Sequence, residues 1–106
     1  MGRLSEPPFH RVAIVGVGLI GGSIALAVKR RWPAANIIGI DRPSVLATAR
    51  QTGVIDQGSD GLDAVDGAEL VILAAPVLQN AAALQELPRI LRRAVITDVG
   101  LSLIHI

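Results

Sequence analysis

Residues 11–23 read RVAIVGVGLIGGS: a run of apolar residues, a glycine-rich turn and the start of a helical pattern. The apolar residues 12–15 predict a buried β-strand. A glycine triplet alone is a weak signal, but this one lies between a strand and a helix and has an acidic residue about twenty positions downstream. That combination is typical of dinucleotide-binding domains.

The glycines of this turn follow the G-x-G-x-x-G spacing, and each has its own physical role. Gly16 permits a tight turn, Gly18 leaves no Cβ where a pyrophosphate must approach, and Gly21 lets the helix pack closely on the strand. The helix N-terminus adds unpaired N–H groups and a partial positive charge. We therefore predict that a dinucleotide pyrophosphate binds on Gly16, Val17, Gly18, Leu19, Ile20 and Gly21.

The composition favours one small domain with an aliphatic core. Of the 106 residues, 51% are hydrophobic and only 2% are aromatic, as suits a parallel sheet buried on both faces. The net charge of +1, with no basic cluster beyond residues 29–31, argues against a nucleic-acid partner. The absence of cysteine excludes disulfides and thiol catalysis, and fits the cytoplasm. We expect no metal site, and no apolar run approaches the ~18 residues of a membrane span.

The order of apolar patterns predicts alternating strands and helices. Strands are expected at residues 12–15, 36–41, 54–58, 69–75 and 94–98, and helices at residues 20–31, 43–52, 62–65 and 77–91. This order predicts an α/β fold, a Rossmann-type doubly wound parallel sheet that is incomplete at its C-terminal end. Residues 1–10 are expected to be a flexible lead, and residues 11–100 to be the dinucleotide-binding domain.

Helical spacing also predicts which residues face the sheet. In the first helix these are Ile20, Ile24, Ala27 and Val28, and in the last they include Leu78, Ala82 and Leu87. Pro88 is expected to kink or split the last helix.

Asp41 ends the second predicted strand, about twenty residues after the glycine turn. At that position a carboxylate can accept hydrogen bonds from both hydroxyls of an adenosine ribose, and it repels a 2′-phosphate. The predicted cofactor is therefore NAD rather than NADP. Arg42 weakens this preference, because a guanidinium there could stack on adenine or bind a phosphate. The alternative role for Asp41 is a cap of the following helix.

Several segments resemble the N-terminal domain of the prephenate/arogenate dehydrogenase family. They are GLIGGS at residues 18–23, GIDR at 39–42, GVID at 53–56, LVILAAPV at 70–77 and TDVG at 97–100. The resemblance covers nearly all of residues 12–100, and it implies NAD(P)-linked oxidative decarboxylation of prephenate or arogenate in tyrosine biosynthesis. It also implies that the nicotinamide lies against two segments: Ala74, Ala75, Pro76 and Val77, and the turn with Asp98, Val99 and Gly100.

The resemblance has limits at the end of the chain. The family pattern continues after TDVG with a serine, but here Leu101 holds that place and Ser102 is one position out of register. The family's catalytic histidine, on a later His-Pro segment, has no counterpart, and His105 does not replace it. The helical domain that dimerises and binds substrate has no counterpart either. The resemblance thus implies a homodimeric full-length enzyme and a fragment that is inactive alone, with no catalytic residue of its own.

Residues 101–106, LSLIHI, match the translation of CTG TCT CTT ATA CAC ATC, the mosaic-end adapter of transposase-based sequencing libraries. We therefore expect this tail to be non-native, and a genuine apolar sixth strand is the alternative. Re-sequencing the locus with another library chemistry decides between the two.

The same residues are compatible with two alternative functions. A non-enzymatic NAD-sensing module needs only the glycine turn and Asp41. Another small NAD(P)-dependent reductase would share the fold, but such families lack the pairing of GLIGGS with TDVG.

Overall fold

The computed structural model describes residues 8–91 and 94–99, and describes Val77 by its backbone alone. Within these residues the strands are β1 (Arg11–Val15), β2 (Asn36–Ile40), β3 (Gln57–Ser59), β4 (Leu70–Leu73) and β5 (Val95–Asp98). The helices are α1 (Leu19–Arg31), α2 (Pro43–Gln51), a short 3₁₀ helix (Leu62–Val65) and α3 (Val77–Ile90). None of these helices is long and apolar enough to cross a lipid bilayer.

The five strands form one parallel sheet in the order β3-β2-β1-β4-β5. Val15, at the C-terminal end of the central strand β1, is level with Ile40 of β2 and Leu73 of β4. The chain moves outward from β1 through β2 to β3, then returns past β1 to begin the other half at β4. The connection after β1 therefore leads to one side of the sheet and the connection after β4 leads to the other. A crevice opens between the C-terminal ends of these two strands. The predicted doubly wound Rossmann-type fold is confirmed.

The sheet separates two aliphatic cores. Val12 and Ile14 pack in the core beneath α1 and α2, whereas Ala13 and Val15 pack in the core beneath the 3₁₀ helix and α3. All four residues are buried. Because β1 is covered on both faces, its sequence is continuously apolar rather than alternating.

The face that α1 turns to the sheet differs from the prediction. Ile20 and Ala27, which were expected to face inward, are exposed, and the buried residues are Gly21 and Ala25. A Cβ on Gly21 would lie 1.8 Å from a backbone oxygen of the preceding turn. The helix therefore approaches the sheet through its smallest side chains, and the larger predicted residues are half-buried beside them: Ile24 and Val28.

The buried face of α3 is also rotated from the prediction. Leu78 and Ala82 are exposed, whereas Leu87 is buried as expected, together with Asn80 and Ala83. The polar side chain of Asn80 fixes this rotation, because it is hydrogen-bonded to the turn before the helix.

The helix α3 is not split at Pro88 and runs on to Ile90. The proline stands close to the C-terminal end, where its missing N–H removes a single helical hydrogen bond. The predicted split is therefore wrong.

The third strand begins later than predicted, at Gln57 rather than Val54. The strand begins late because of Asp56, whose side-chain Oδ2 accepts the N–H of Ile37 at 2.7 Å. In a regular ladder, a backbone carbonyl of the neighbouring strand would accept that N–H. Val54 is buried in the core instead. The ladder with β2 starts one residue further, where Ile38 pairs with Gln57.

The same carboxylate ties α1 to the sheet. Lys29 Nζ lies 2.6 Å from Asp56 Oδ2 and donates to the carbonyl oxygen of Ala35 at 2.9 Å. Residues 29–31 were expected to be a solvated helix end, but Lys29 is half-buried, because its long aliphatic stem lets the ammonium group reach back to Asp56.

Of the predicted lead, residues 1–7 lie outside the described part of the chain. Phe9 is half-buried against the core beneath α1, and the side chain of His10 is exposed, as expected. The backbone N–H groups of His10 and Arg11 both donate to the carboxylate of Glu69, which precedes β4.

Candidate functional site

A crevice of about 280 Å³ opens at the C-terminal end of the sheet, where the strand order reverses. It brings together the glycine turn, the end of β2 and the turn after β4, which are far apart in sequence. Its lining includes four of the predicted site residues: Gly16, Asp41, Arg42 and Ala75. It also includes residues that the sequence did not indicate: Val15, Ile40, Pro43, Asp60 and Gln79.

Gly16 has the backbone conformation that the tight turn requires. Its φ is +93°, a region that L-residues other than glycine rarely adopt. A Cβ built on Gly16 would lie 2.5 Å from the backbone nitrogen of Ala75, so the turns after β1 and β4 are in direct contact. The N–H of Gly16 donates to the carbonyl oxygen of Ile40 at 2.8 Å, which also joins the turn to β2.

Gly18 differs from Gly16 because the protein itself leaves room for a side chain there. A Cβ built on Gly18 meets no atom within 4 Å. Gly18 is also the N-cap residue of α1, with no side-chain capping bond and no acidic residue in the first turn. Open space and an uncapped helix N-terminus together suit an anion. Beside it, Leu19 and Ile20 are 90% and 57% exposed.

Asp41 is half-buried at the end of β2, and both of its carboxylate oxygens are engaged. Oδ2 accepts the N–H of Val17 at 2.8 Å, and Oδ1 accepts the N–H of Arg42 at 2.7 Å. Arg42 itself is the N-cap of α2, and no side-chain capping bond is made there. The alternative role of Asp41 as a helix cap is therefore wrong. Its two oxygens can accept about four hydrogen bonds, so capacity remains for a ligand hydroxyl.

The turn after β4 forms the opposite wall. The N–H of Ala74 donates to the carbonyl oxygen of Val15 at 2.8 Å, and Pro76 is the N-cap of α3. The N–H of Ala75 donates to Oδ1 of Asn80 at 3.0 Å. Val77 begins α3. Asn80 was not among the predicted site residues, since apolar periodicity gives no signal for a buried amide.

The segment after β5 is the second part of the wall implied by the family resemblance. Asp98 ends β5 level with Leu73 of β4, and it is half-buried. The N–H of Val99 donates to the carbonyl oxygen of Leu73 at 3.1 Å. Gly100 and residues 101–106 lie outside the described residues.

A larger groove of about 570 Å³ lies between α1 and α2, on the other side of the glycine turn. Its lining is mainly apolar, with serine and threonine at the rim, and contains no charged residue. The smaller crevice is the better candidate for the adenosine ribose, because it contains Asp41, whereas the predicted residues Val17, Gly18 and Leu19 line the groove on the other side of the turn. No cluster of side chains suited to a metal ion occurs among the described residues.

A family model and known relatives match most of the described chain. The model of the family described as "Prephenate dehydrogenase, nucleotide-binding domain" matches residues 24–102. Prephenate dehydrogenase of Bacillus subtilis (strain 168) is 45% identical over 93 residues, which are 84% of this chain and 25% of that protein. Cyclohexadienyl dehydrogenase of Zymomonas mobilis is 35% identical over 95 residues, 87% of this chain and 32% of that protein. The chain thus spans a quarter to a third of the length of these relatives.

Two solved structures of similar enzymes also match the chain. The chain matches prephenate dehydrogenase from A. aeolicus, in complex with hydroxyphenyl propionate and NAD+, with a TM-score of 0.83 and 32% identity. The match covers 90% of this chain and 35% of that one. Synechocystis arogenate dehydrogenase matches with a TM-score of 0.77 and 28% identity, over 85% of this chain and 32% of that one.

Proposed function

We infer the function of this chain from its family: it belongs to the prephenate dehydrogenase nucleotide-binding domain family. We propose that its crevice binds NAD as part of an enzyme that oxidatively decarboxylates prephenate or arogenate. The observation that carries the proposal is the proximity of Gly18 to Asp41 at one end of the sheet, where Val17, the neighbour of Gly18, donates its N–H to the Asp41 carboxylate. No protein atom lies where a side chain at position 18 would begin, so a ligand atom can approach there, beside the uncapped N-terminus of α1. Asp41 stands at the end of the adjacent strand with acceptor capacity left over.

The strand order supports one orientation of the dinucleotide. The adenosine ribose would bind to Asp41 at the end of β2, and the pyrophosphate would cross the glycine turn at the end of β1. An extended ligand that continues in the same direction reaches the end of β4. The nicotinamide would then lie against Ala75 and Pro76, with the turn after β5 beyond them.

NAD is favoured over NADP on electrostatic grounds. A carboxylate that accepts hydrogen bonds from the ribose hydroxyls would repel a 2′-phosphate. Asp60 lines the same crevice and adds a second negative charge. Arg42 is exposed at its edge and is the one guanidinium among the lining residues. Two carboxylates against one guanidinium still disfavour an additional phosphate.

The residues of this chain bind and orient rather than carry out the proton chemistry. When bound, NAD supplies the hydride acceptor for the oxidation. The glycine turn would fix the pyrophosphate and the turn after β4 would hold the nicotinamide facing a substrate on its open side. The substrate, prephenate or arogenate, would be bound by parts of a longer homodimeric enzyme of tyrosine biosynthesis in the cytoplasm.

Calorimetric titration with NAD and NADP, together with an assay of prephenate turnover, tests both halves of the proposal. We expect NAD to bind to the chain with a higher affinity than NADP and no turnover by the 106-residue chain alone. Absence of NAD binding would reject the proposed site. Turnover by this chain would reject the assignment of the chemistry to other parts of the enzyme.

A further inference from the structure

Asn80 is the one polar residue in the buried core of the described part of the chain, with 0% of its surface exposed. A primary amide in an apolar core is unfavourable unless its donors and acceptor are hydrogen-bonded. The partners of Asn80 therefore indicate what a buried amide contributes here that an apolar residue would not.

Asn80 is hydrogen-bonded to backbone groups at the end of β4 and in the turn that leads to α3. Its Oδ1 accepts the N–H of Ala75 at 3.0 Å, and its Nδ2 donates to the carbonyl oxygen of Leu73 at 3.4 Å. Its own N–H donates to the carbonyl oxygen of Pro76 at 3.0 Å. The bond to Pro76 is the ordinary backbone bond of the helix, so the side chain itself joins Leu73, the last residue of β4, to Ala75 in the turn.

This turn is a wall of the crevice rather than a remote connection. Ala75 lines the crevice, and its backbone nitrogen is the atom that a Cβ on Gly16 would strike at 2.5 Å. A small displacement of Ala75 would therefore change the shape of the crevice on the β4 side.

We propose that Asn80 is a positioning residue for the nicotinamide half of the cofactor. It makes no contact with the ligand and acts through the backbone of Leu73 and Ala75. This inference rests on the proposed function, because it assumes that the dinucleotide extends from β2 across β1 to β4. The adenosine half is held separately, at Asp41, whose carboxylate is bonded to Val17 and Arg42. Loss of Asn80 should therefore affect one half of the ligand.

ADP-ribose provides the matched probe, since it contains the adenosine, both riboses and the pyrophosphate but lacks the nicotinamide ring. Calorimetry on Asn80→Ala is expected to show NAD affinity reduced about tenfold and ADP-ribose affinity changed less than about twofold. Gln85→Ala, at an exposed position of the same helix, is the control and should leave both affinities unchanged. If Asn80→Ala does not fold, Asn80→Ser replaces it, because a hydroxyl is too short to reach both Ala75 and Leu73.

The outcomes separate this inference from the proposed function. If wild-type protein binds neither NAD nor ADP-ribose, the proposed function fails and the inference fails with it. If wild-type protein binds both and the variant weakens both equally, or neither, the proposed function stands and the role of Asn80 is rejected. A fall in NAD affinity alone supports the positioning role, because a merely structural role would not produce this selective effect.

Discussion

The three glycines of the turn after β1 differ in what the fold requires at each position. Gly16 is required by its φ of +93° and by contact with Ala75, and Gly21 by contact with a backbone oxygen. Gly18 is required by neither, because no atom of the protein lies where its Cβ would be. A residue that the fold leaves unconstrained, at a helix N-terminus that lacks a cap, is the place where binding and stability can be separated by mutation.

We predict that Gly18→Val reduces NAD affinity at least tenfold, or about 1.4 kcal/mol, and lowers the thermal unfolding midpoint no further than the same substitution at another helix N-cap does. The branched side chain would occupy the space through which the pyrophosphate approaches. Calorimetry measures the affinity and a thermal melt measures the stability. Gly61→Val is the matched control: Gly61 is an exposed N-cap of the 3₁₀ helix, with φ −106° and ψ 134°, and lines neither the crevice nor the groove. Unchanged NAD affinity in Gly18→Val would contradict the assigned site.

Asp41 has both a structural and a proposed binding role, and a substitution should reveal both. Asp41→Ala is expected to lower NAD affinity and to reduce the ratio of NAD to NADP affinity about tenfold, because a source of repulsion for a 2′-phosphate is removed. Asp63→Ala removes an equal charge from the exposed surface of the 3₁₀ helix and serves as the control. If the ratio does not move, Asp41 only anchors the turn through Val17.

The residues that the sequence predicted are those whose role depends on local spacing. Gly16, Gly18 and Gly21 have a fixed separation, and Asp41 follows at the distance that one helix and one strand require. Asn80 could not be predicted in this way. Its role depends on the N–H of Ala75 and the carbonyl of Leu73 lying within reach of one amide, and a turn sets that geometry rather than a period.

Among the helices, the apolar period predicted that α1 and α3 exist but misplaced their buried faces. In α1 the closest approach to the sheet selects Gly21 and Ala25, the smallest residues, over the larger Ile20. In α3 the hydrogen bonds of Asn80 override apolar Leu78, which is 84% exposed. Periodicity counts apolar side chains, whereas contact with a sheet depends on volume and on individual polar partners.

The link between α1, β2 and β3 through Asp56 supplies a prediction for stability. Asp56→Ala should lower the free energy of unfolding by about 1–3 kcal/mol, because the N–H of Ile37 loses its partner and Lys29 loses its counter-ion. For a domain of this size that corresponds to a fall of roughly 4–20 °C in the unfolding midpoint.

The control for this substitution is Asp66→Ala, which removes an exposed carboxylate at the end of the 3₁₀ helix. A midpoint for Asp56→Ala that matches this control would show that the ion pair and the hydrogen bond contribute nothing measurable.

For the molecule as a whole, the parallel order and the central position of β1 and β4 were predictable, because only strands covered on both faces are continuously apolar. The late start of β3 could not be predicted from the sequence, since the carboxylate of Asp56 alone replaces a backbone acceptor in the ladder. Topology thus follows from hydrophobic burial, while the ends of the strands depend on individual side chains.

Glu69 makes the stability of the assembled sheet depend on pH. Hydrogen bonds from the backbone N–H groups of His10 and then Arg11 lower the pKa of its carboxyl below the usual value of 4.5. A lowered pKa in the folded state adds stability that is present above about pH 4.5 and is lost as the pH falls through the folded-state value.

We therefore predict that the difference in unfolding free energy between wild-type protein and Glu69→Gln is greatest near neutral pH and shrinks below about pH 4.5. Denaturant unfolding at a series of pH values measures it. Glu86→Gln, on the exposed surface of α3, is the control for the loss of one carboxylate. A difference that is constant with pH would show that the charge of Glu69 is not involved.

The central place of β1 has a consequence during translation. This strand leaves the ribosome first among the five, yet Val12 pairs on one side with Ile37 and on the other with Leu70. Until β4 has been synthesised, the backbone groups on one edge of this apolar five-residue strand are open to any other extended polypeptide. A chaperone that holds apolar segments would be most useful to this protein in the interval between the emergence of β2 and that of β4.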